Sequence, residues 1–156
     1  MDVSNVELID VCVRDVSFGA NVSIVKPVNL YGCDIGSDTK IGPFVEIQND
    51  VIIGSHCKVQ SHSFICSLVT IGNNVFIGHG VVFVNDTFSS GGPALGKKEV
   101  WKKTDIGDNV SIGSNATILP VSICAGVVVG AGAVVTKSIN QPGFYAGNPA
   151  RIVRAQ

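Results

Sequence analysis

Aliphatic residues recur at every sixth position along most of this chain. Ile35, Ile41, Ile47, Ile53, Val59, Ile65, Ile71, Ile77 and Phe83 follow one another without a break. Ile106, Ile112 and Ile118 resume the step, and Ile123, Val129 and Val135 continue it after one five-residue unit. Phe18, Ile24 and Leu30 extend it upstream, with another five-residue step to Ile35. Gly often follows the aliphatic residue, as at Gly36, Gly54, Gly72, Gly78 and Gly113, and a small or β-branched residue often stands four places after it. No α-helix keeps this period on one face, because about 3.6 residues per turn carry a six-residue repeat around the surface.

A parallel β-solenoid accounts for the period. Each hexad supplies a short strand and a corner, three hexads close a triangular coil, and the aliphatic residues fill the interior. Strands of successive coils stack at about 4.8 Å, so the repeat predicts an all-β prism of about six coils, on the order of 29 Å tall. Residues 1–156 read as one such domain, with 1–15 as an opening strand or cap. Between Phe83 and Ile106 the rhythm fails, which predicts one protruding loop at about 85–105. That loop holds four lysines, Phe88 and the sole tryptophan, Trp101. Exposed aromatics favour a loop that packs on a neighbouring subunit or covers a ligand, against a tolerated surface excursion.

Composition narrows the function classes. With 46% hydrophobic and 15% charged residues the chain is not disordered, and a formal charge of -1 gives no basic field for nucleic acid. Five cysteines fall at no metal-ligand spacing and read as reduced packing residues, which predicts a cytoplasmic protein. The longest apolar run, Ile123 to Val135, is interrupted by Gly126, Gly130 and Gly132. It is also shorter than the roughly 20 residues a membrane helix needs, and the N-terminus lacks a signal-peptide pattern, so no membrane partner is expected.

The strings IGPFVEI, IGNNVFIGHG and IGDNVSIGSNATILP resemble the hexapeptide-repeat acyltransferase superfamily. The ending VVVGAGAVVTKSINQPGFYAGNPARIV is similar to that of its acetyl-CoA-dependent members, and the resemblance covers roughly residues 16–153. It implies a left-handed parallel β-helix, a homotrimer, and acetyl-CoA as co-substrate. HGVVFVND, residues 79–86, followed by a loop, resembles the group that N-acetylates 3-amino-3-deoxy sugars on a nucleoside diphosphate, for surface polysaccharide. The competing readings are an O-acetyltransferase for a serine, sugar or antibiotic hydroxyl, and a non-catalytic solenoid scaffold. No C-terminal helical cap of the kind found in some relatives is expected after AGNPARIVRAQ.

Acetyl transfer from a thioester needs a neutral amine, donors for the oxyanion and a route for the departing proton. Ser55, Ser61, Asn73, His79 and Asn85 share a corner offset, two places after an aliphatic residue. His79 is the candidate general base, against a corner histidine that only bonds a carbonyl; the departing thiolate is an alternative proton acceptor. Asn85 is the second candidate catalytic residue, holding the amine or a hydroxyl, although Asn also starts loops. Asp86, Lys97 and Trp101 are candidate substrate contacts, against ordinary loop and surface roles. Gly113, Ala131 and Gly132 are candidates for a CoA arm lying close to backbone, or simply tight corners. The resemblance of AGNPAR adds Ala146, Gly147, Asn148, Pro149 and Arg151 to the CoA groove, and Lys137, Arg151 and Arg154 suit the phosphates of CoA, against solvated surface charges. His56 and His62 share a different offset from His79, so no metal site is expected.

Overall fold

The structure, a computed structural model, describes residues 12–155. It is a parallel β-helix with three sheets, seven, six and eight strands deep. The first face starts at Val13–Arg14, the second at Ser17–Phe18 and the third at Ser23–Ile24. Every third strand stacks in parallel register up to Val134–Val135, as where Ile35 pairs with Ile53 and Thr70 with Ile52. The third face then closes with Gly143–Ala146 paired antiparallel to Arg151–Ala155. The coil is consistent with the left-handed β-helix that the family resemblance implies.

The periodic aliphatics form the interior. Leu30, Ile47, Ile65, Phe83, Ile118 and Val135 line the first face from within, and each is at most 1% exposed. Burying each such side chain contributes about 1.5–3 kcal/mol, and the in-line ladder lets every layer reinforce the next. Among the described residues the few buried polar groups are satisfied. Thr39 Oγ1 donates to Gly54 O at 3.0 Å, and Ser63 Oγ donates to Gly78 O at 2.9 Å.

Each corner requires one residue in the left-handed region, and Asn, Asp, His and Gly reach it most readily. Asn21, Asp38, Asp50, Asn74, Asn109 and Asn115 take it with φ of 57–61°, and His56 and His62 do so at 58° and 63°. The six-residue spacing of those two histidines therefore follows from corner geometry.

Two boundaries differ from the sequence expectation. The first face is seven strands deep where the repeat predicts about six coils, because Val13–Arg14 adds a strand below Asn29–Tyr31. The expected opening strand is thus present in its last part, and residues 1–11 lie outside the described ones. The protrusion closes earlier than residue 105: Thr104–Ile106 pairs in full with Val69–Ile71. Thr104 is only 1% exposed, so burial of this β-branched residue extends the ladder upstream of Ile106. From Val69 to Thr104 the coil takes 35 residues where an ordinary one, Ile53 to Ile71, takes 18, an insertion of 35 − 18 = 17. A single 3-10 turn, Lys98–Val100, is the one helical element of the loop. No helix is long and apolar enough to cross a membrane among the described residues.

Candidate active site

His79 follows Phe76–Ile77 of the third face and precedes Val82–Phe83 of the first, so it sits on the edge joining them. The residues stacked on this edge are fixed by coil-to-coil hydrogen bonds. Gly80 N donates to Ser61 O at 3.0 Å, Asn115 N to His79 O at 2.8 Å and Gly132 N to Ser114 O at 2.8 Å. Val134 N donates to Gly147 O at 3.0 Å. One column of corners therefore runs Ser61, His79, Ser114, Ala131, Gly147 toward the C-terminal end.

The imidazole is exposed but oriented. Its Nδ1 lies 2.8 Å from Ser61 Oγ, and its backbone N–H donates to Ser114 Oγ at 3.2 Å. In the tautomer with Nδ1–H donating to Ser61, Nε2 holds a free lone pair, the arrangement a proton acceptor requires.

Beyond His79 the column is stripped to small residues. Ala131 is exposed and stands two coils away, about 10 Å at the usual strand spacing. A Cβ at Gly113 would approach Ala131 N to 2.5 Å, so glycine is needed there for coil stacking. Gly132 has φ of +67° and open space where a Cβ would project. Ala146, Gly147, Asn148 and Pro149 cross the same edge at the last coil, and Ala150 N donates to Val134 O at 2.8 Å. Lys137 and Arg151 line a shallow cleft of about 310 Å³ beside Ser138, Ile139 and Tyr145. Arg154 stacks over Phe144, 5.9 Å from the ring centroid. A narrow trough with bare backbone, and with Arg151 beside Ala146 at its end, fits an extended pantetheine arm and its phosphates. Lys137 stands two places after Val135 on the Asn85 edge and meets Arg151 only across the cleft they share.

The loop residues lie elsewhere in the chain. Asn85 and Asp86 follow Val82–Phe83 and occupy the opposite edge of the first face, one whole face from His79. Asn85 Nδ2 donates to Ser67 O at 3.2 Å, and Lys102 N donates to Asn85 O at 2.9 Å. The Asp86 carboxylate accepts from Phe88 N at 2.9 Å and Ala94 N at 2.7 Å, organising the loop from within. Lys97 is exposed and Trp101 half-buried, beside the Lys98–Val100 turn. His56 stands 3.7 Å from Asp38, and His62 stacks on Phe44, so both histidines are engaged away from the His79 ring. The roles of Ser61 and Ser114 as partners of His79 were missed in the sequence. The signal was there: Ser61 stands one 18-residue coil before His79.

Residues 32–67 match the bacterial transferase hexapeptide family of six repeats, and residues 103–137 match the hexapeptide repeat of succinyl-transferase. The chain belongs to the hexapeptide-repeat transferase family. Among curated relatives of this hexapeptide protein, the Bifunctional protein GlmU of Thermodesulfovibrio yellowstonii is 37% identical over 136 residues, 76% of this chain. GlmU of Wigglesworthia glossinidia brevipalpis is 42% identical over 108 residues, 69% of this chain. The chain spans only 28% and 21% of the length of those two relatives. Among solved structures, an N-acyltransferase from Bacillus cereus, AntD, in complex with dTDP and coenzyme A superimposes with a TM-score of 0.79 at 26% identity. The match covers 90% of this chain and 83% of that one. A hexapeptide-repeat acetyltransferase from Vibrio cholerae complexed with acetyl coenzyme A gives a TM-score of 0.66 at 26% identity, covering 80% and 70% of the two chains.

Proposed function

We propose that this chain is an acetyl-CoA-dependent N-acetyltransferase acting on the amino group of a nucleoside-diphosphate-linked 3-amino-3-deoxy sugar. The observation that carries the reading is the His79 column: an oriented, exposed imidazole continued toward the C-terminal end by a trough of small residues. The AntD likeness, to a protein bound to dTDP and coenzyme A, supports a nucleotide-linked acceptor.

In this reading the arm of acetyl-CoA lies along Gly113, Ala131, Gly132 and the Ala146–Pro149 crossing, with Lys137 and Arg151 at its phosphates. The neutral amine attacks the thioester carbonyl, and the N–C bond forms as its proton passes to His79 Nε2. The tetrahedral adduct collapses, the C–S bond breaks, and the thiolate takes the proton from the imidazolium.

The enzyme works as a homotrimer in the cytoplasm, with its product destined for surface polysaccharide. The outward positions of the first face run Asn29, Glu46, Phe64, Val82, Thr117 and Val134, with three apolar residues among the four above Glu46. Those of the second are Ser17, Asp34, Thr70, Asp105 and Ser122, with Ile52 the apolar exception. This asymmetry supports packing through the first face. Such packing brings the 85–103 loop of one protomer to the His79 edge of the next, where Asn85, Asp86, Lys97 and Trp101 meet the acceptor.

The experiment is steady-state thiol release from acetyl-CoA across amino sugars, free and linked to dTDP or UDP. Turnover with one nucleotide-linked 3-amino sugar is expected. Turnover only with hydroxyl acceptors establishes the O-acetyltransferase reading instead, which the Ser61-oriented imidazole also favours, since a hydroxyl demands stronger base assistance.

A further inference from the structure

Two coils below His79, on the same edge but on the side away from the trough, Phe44 occupies a corner that this fold gives elsewhere, Leu68 apart, to Asn, Asp, His or Gly. Its φ is +59°, a conformation in which a bulky side chain is an outlier. The residue is nevertheless 57% exposed, so no core burial offsets that strain. Leu68, the other large residue in this conformation among the regular corners, is half-buried instead. The Phe44 ring stacks on His62, with centroids 4.8 Å apart and planes 27° from parallel. Its backbone is pinned to the coil below, where Phe44 N donates to Pro27 O at 2.6 Å.

Phe44 also borders a mostly apolar cleft of about 310 Å³, lined by Pro27, Val28, Asn29, Val45 and Glu46. At its rim, Asn29 Oδ1 accepts from Arg14 Nη1 at 3.3 Å, which leaves its amide nitrogen as a donor. Glu46 accepts from Gln48 Nε2 at 3.2 Å and adds a carboxylate acceptor. A rigid aromatic ledge, an apolar floor, one donor and one acceptor together suit a flat heteroaromatic ring with a polar edge.

We infer that Phe44, backed by His62, stacks the nucleobase of the nucleoside-diphosphate acceptor, with Asn29 and Glu46 reading its edge. The inference rests on the nucleotide-sugar reading above and gives it a direction along the edge. The base lies toward the N-terminal end, the sugar amine meets His79, and CoA comes from the C-terminal side. Two coils, about 10 Å, is a span that a diphosphate and sugar can bridge.

The test is calorimetric titration of dTDP, UDP and GDP, each alone, into wild type, Phe44→Ala and Phe44→Trp, with coenzyme A as control and particle mass monitored. At least one nucleotide is expected to bind wild type, and to bind Phe44→Ala about tenfold more weakly, with CoA affinity and mass unchanged. Phe44→Trp retains affinity, and the added indole is quenched in step with nucleotide binding. Equal binding to wild type and Phe44→Ala overturns the inference, as does loss of the oligomer in Phe44→Ala, which makes Phe44 an interface residue. Failure of every nucleotide to bind wild type also overturns it. Nucleotide binding that depends on Phe44, without turnover of any amino sugar, keeps the subsite and refutes the N-acetyltransferase reading instead.

Discussion

The edge that carries His79 and the edge that carries the loop lie at opposite ends of one strand, Val82–Phe83, yet they use polar side chains in opposite ways. On the loop edge the side chains are consumed by the fold. Ser67 Oγ donates to Asn49 Oδ1 at 3.1 Å, Asn85 bonds the Ser67 carbonyl, and both Asp86 oxygens accept loop amides. On the other edge, Ser61 and Ser114 hold His79 while its Nε2 bonds to none of the described residues. A polar group satisfied by backbone builds structure, and one held by its neighbours with an atom to spare is ready for chemistry.

The sharpest way to break this contrast is His79→Ala. Turnover of the acceptor should fall by about 100-fold or more, the scale of general base catalysis, while circular dichroism and CoA affinity stay unchanged. Unaltered turnover at neutral pH would remove the catalytic role from that edge.

Filling the trough comes next. Ala131→Phe places a ring on an exposed corner without entering the core, and CoA should bind about tenfold more weakly by calorimetry. Wild-type affinity would move the arm off this edge.

Asp86→Ala probes the loop edge. Two charge-assisted hydrogen bonds disappear, so the Phe88 and Ala94 amides should lose about 1–3 kcal/mol of protection in hydrogen exchange, with strand amides unaffected. The acceptor KM should rise with that loss, and intact protection with an unchanged KM would remove Asp86 from both the loop and the acceptor site.

The smallest effect concerns the thiols under the loop edge. Burial pushes Cys66 up to about 12 and, with help from Asp34, Cys33 up to about 11. An unfolded thiol ionises from about pH 8.5, so the unfolded chain sheds these protons first. Stability is therefore complete below that pH and declines as pH rises toward the folded values. Melting temperature followed from pH 8 to 11 should fall, and fall less in Cys66→Ala.

How much of this was legible varied with range. His79 was identifiable because its offset from Ile77 repeats that of Ser61 from Val59, whereas its exposure, which His56 and His62 share, does not single it out. Its orientation by Ser61 needed the coil length, 18 residues, to be turned into contact. Phe44 was invisible as a functional residue, because in sequence it is one more aromatic next to a proline. Only its left-handed backbone and its exposure single it out. Asp86 followed by a loop signals either a ligand contact or a loop clamp, and the two differ only in where the amides of Phe88 and Ala94 come to lie.

By itself the sequence determined the coil. A strict period of six places every aliphatic side chain on one side of a short strand, and no other regular backbone buries them all. It also located the interruption, since an insertion between strands can leave only at a corner. What the tertiary structure decided is which corners share an edge. Seventeen inserted residues and two five-residue units shift the count, so that Ser61, His79, Ser114, Ala131 and Gly147 stack in one column while Asn85 and Asp86 fall on another. Periodicity is a local rule, carried by each hexad alone. An edge is a sum over all preceding hexads, and it becomes definite only when hydrogen bonds between coils fix the register.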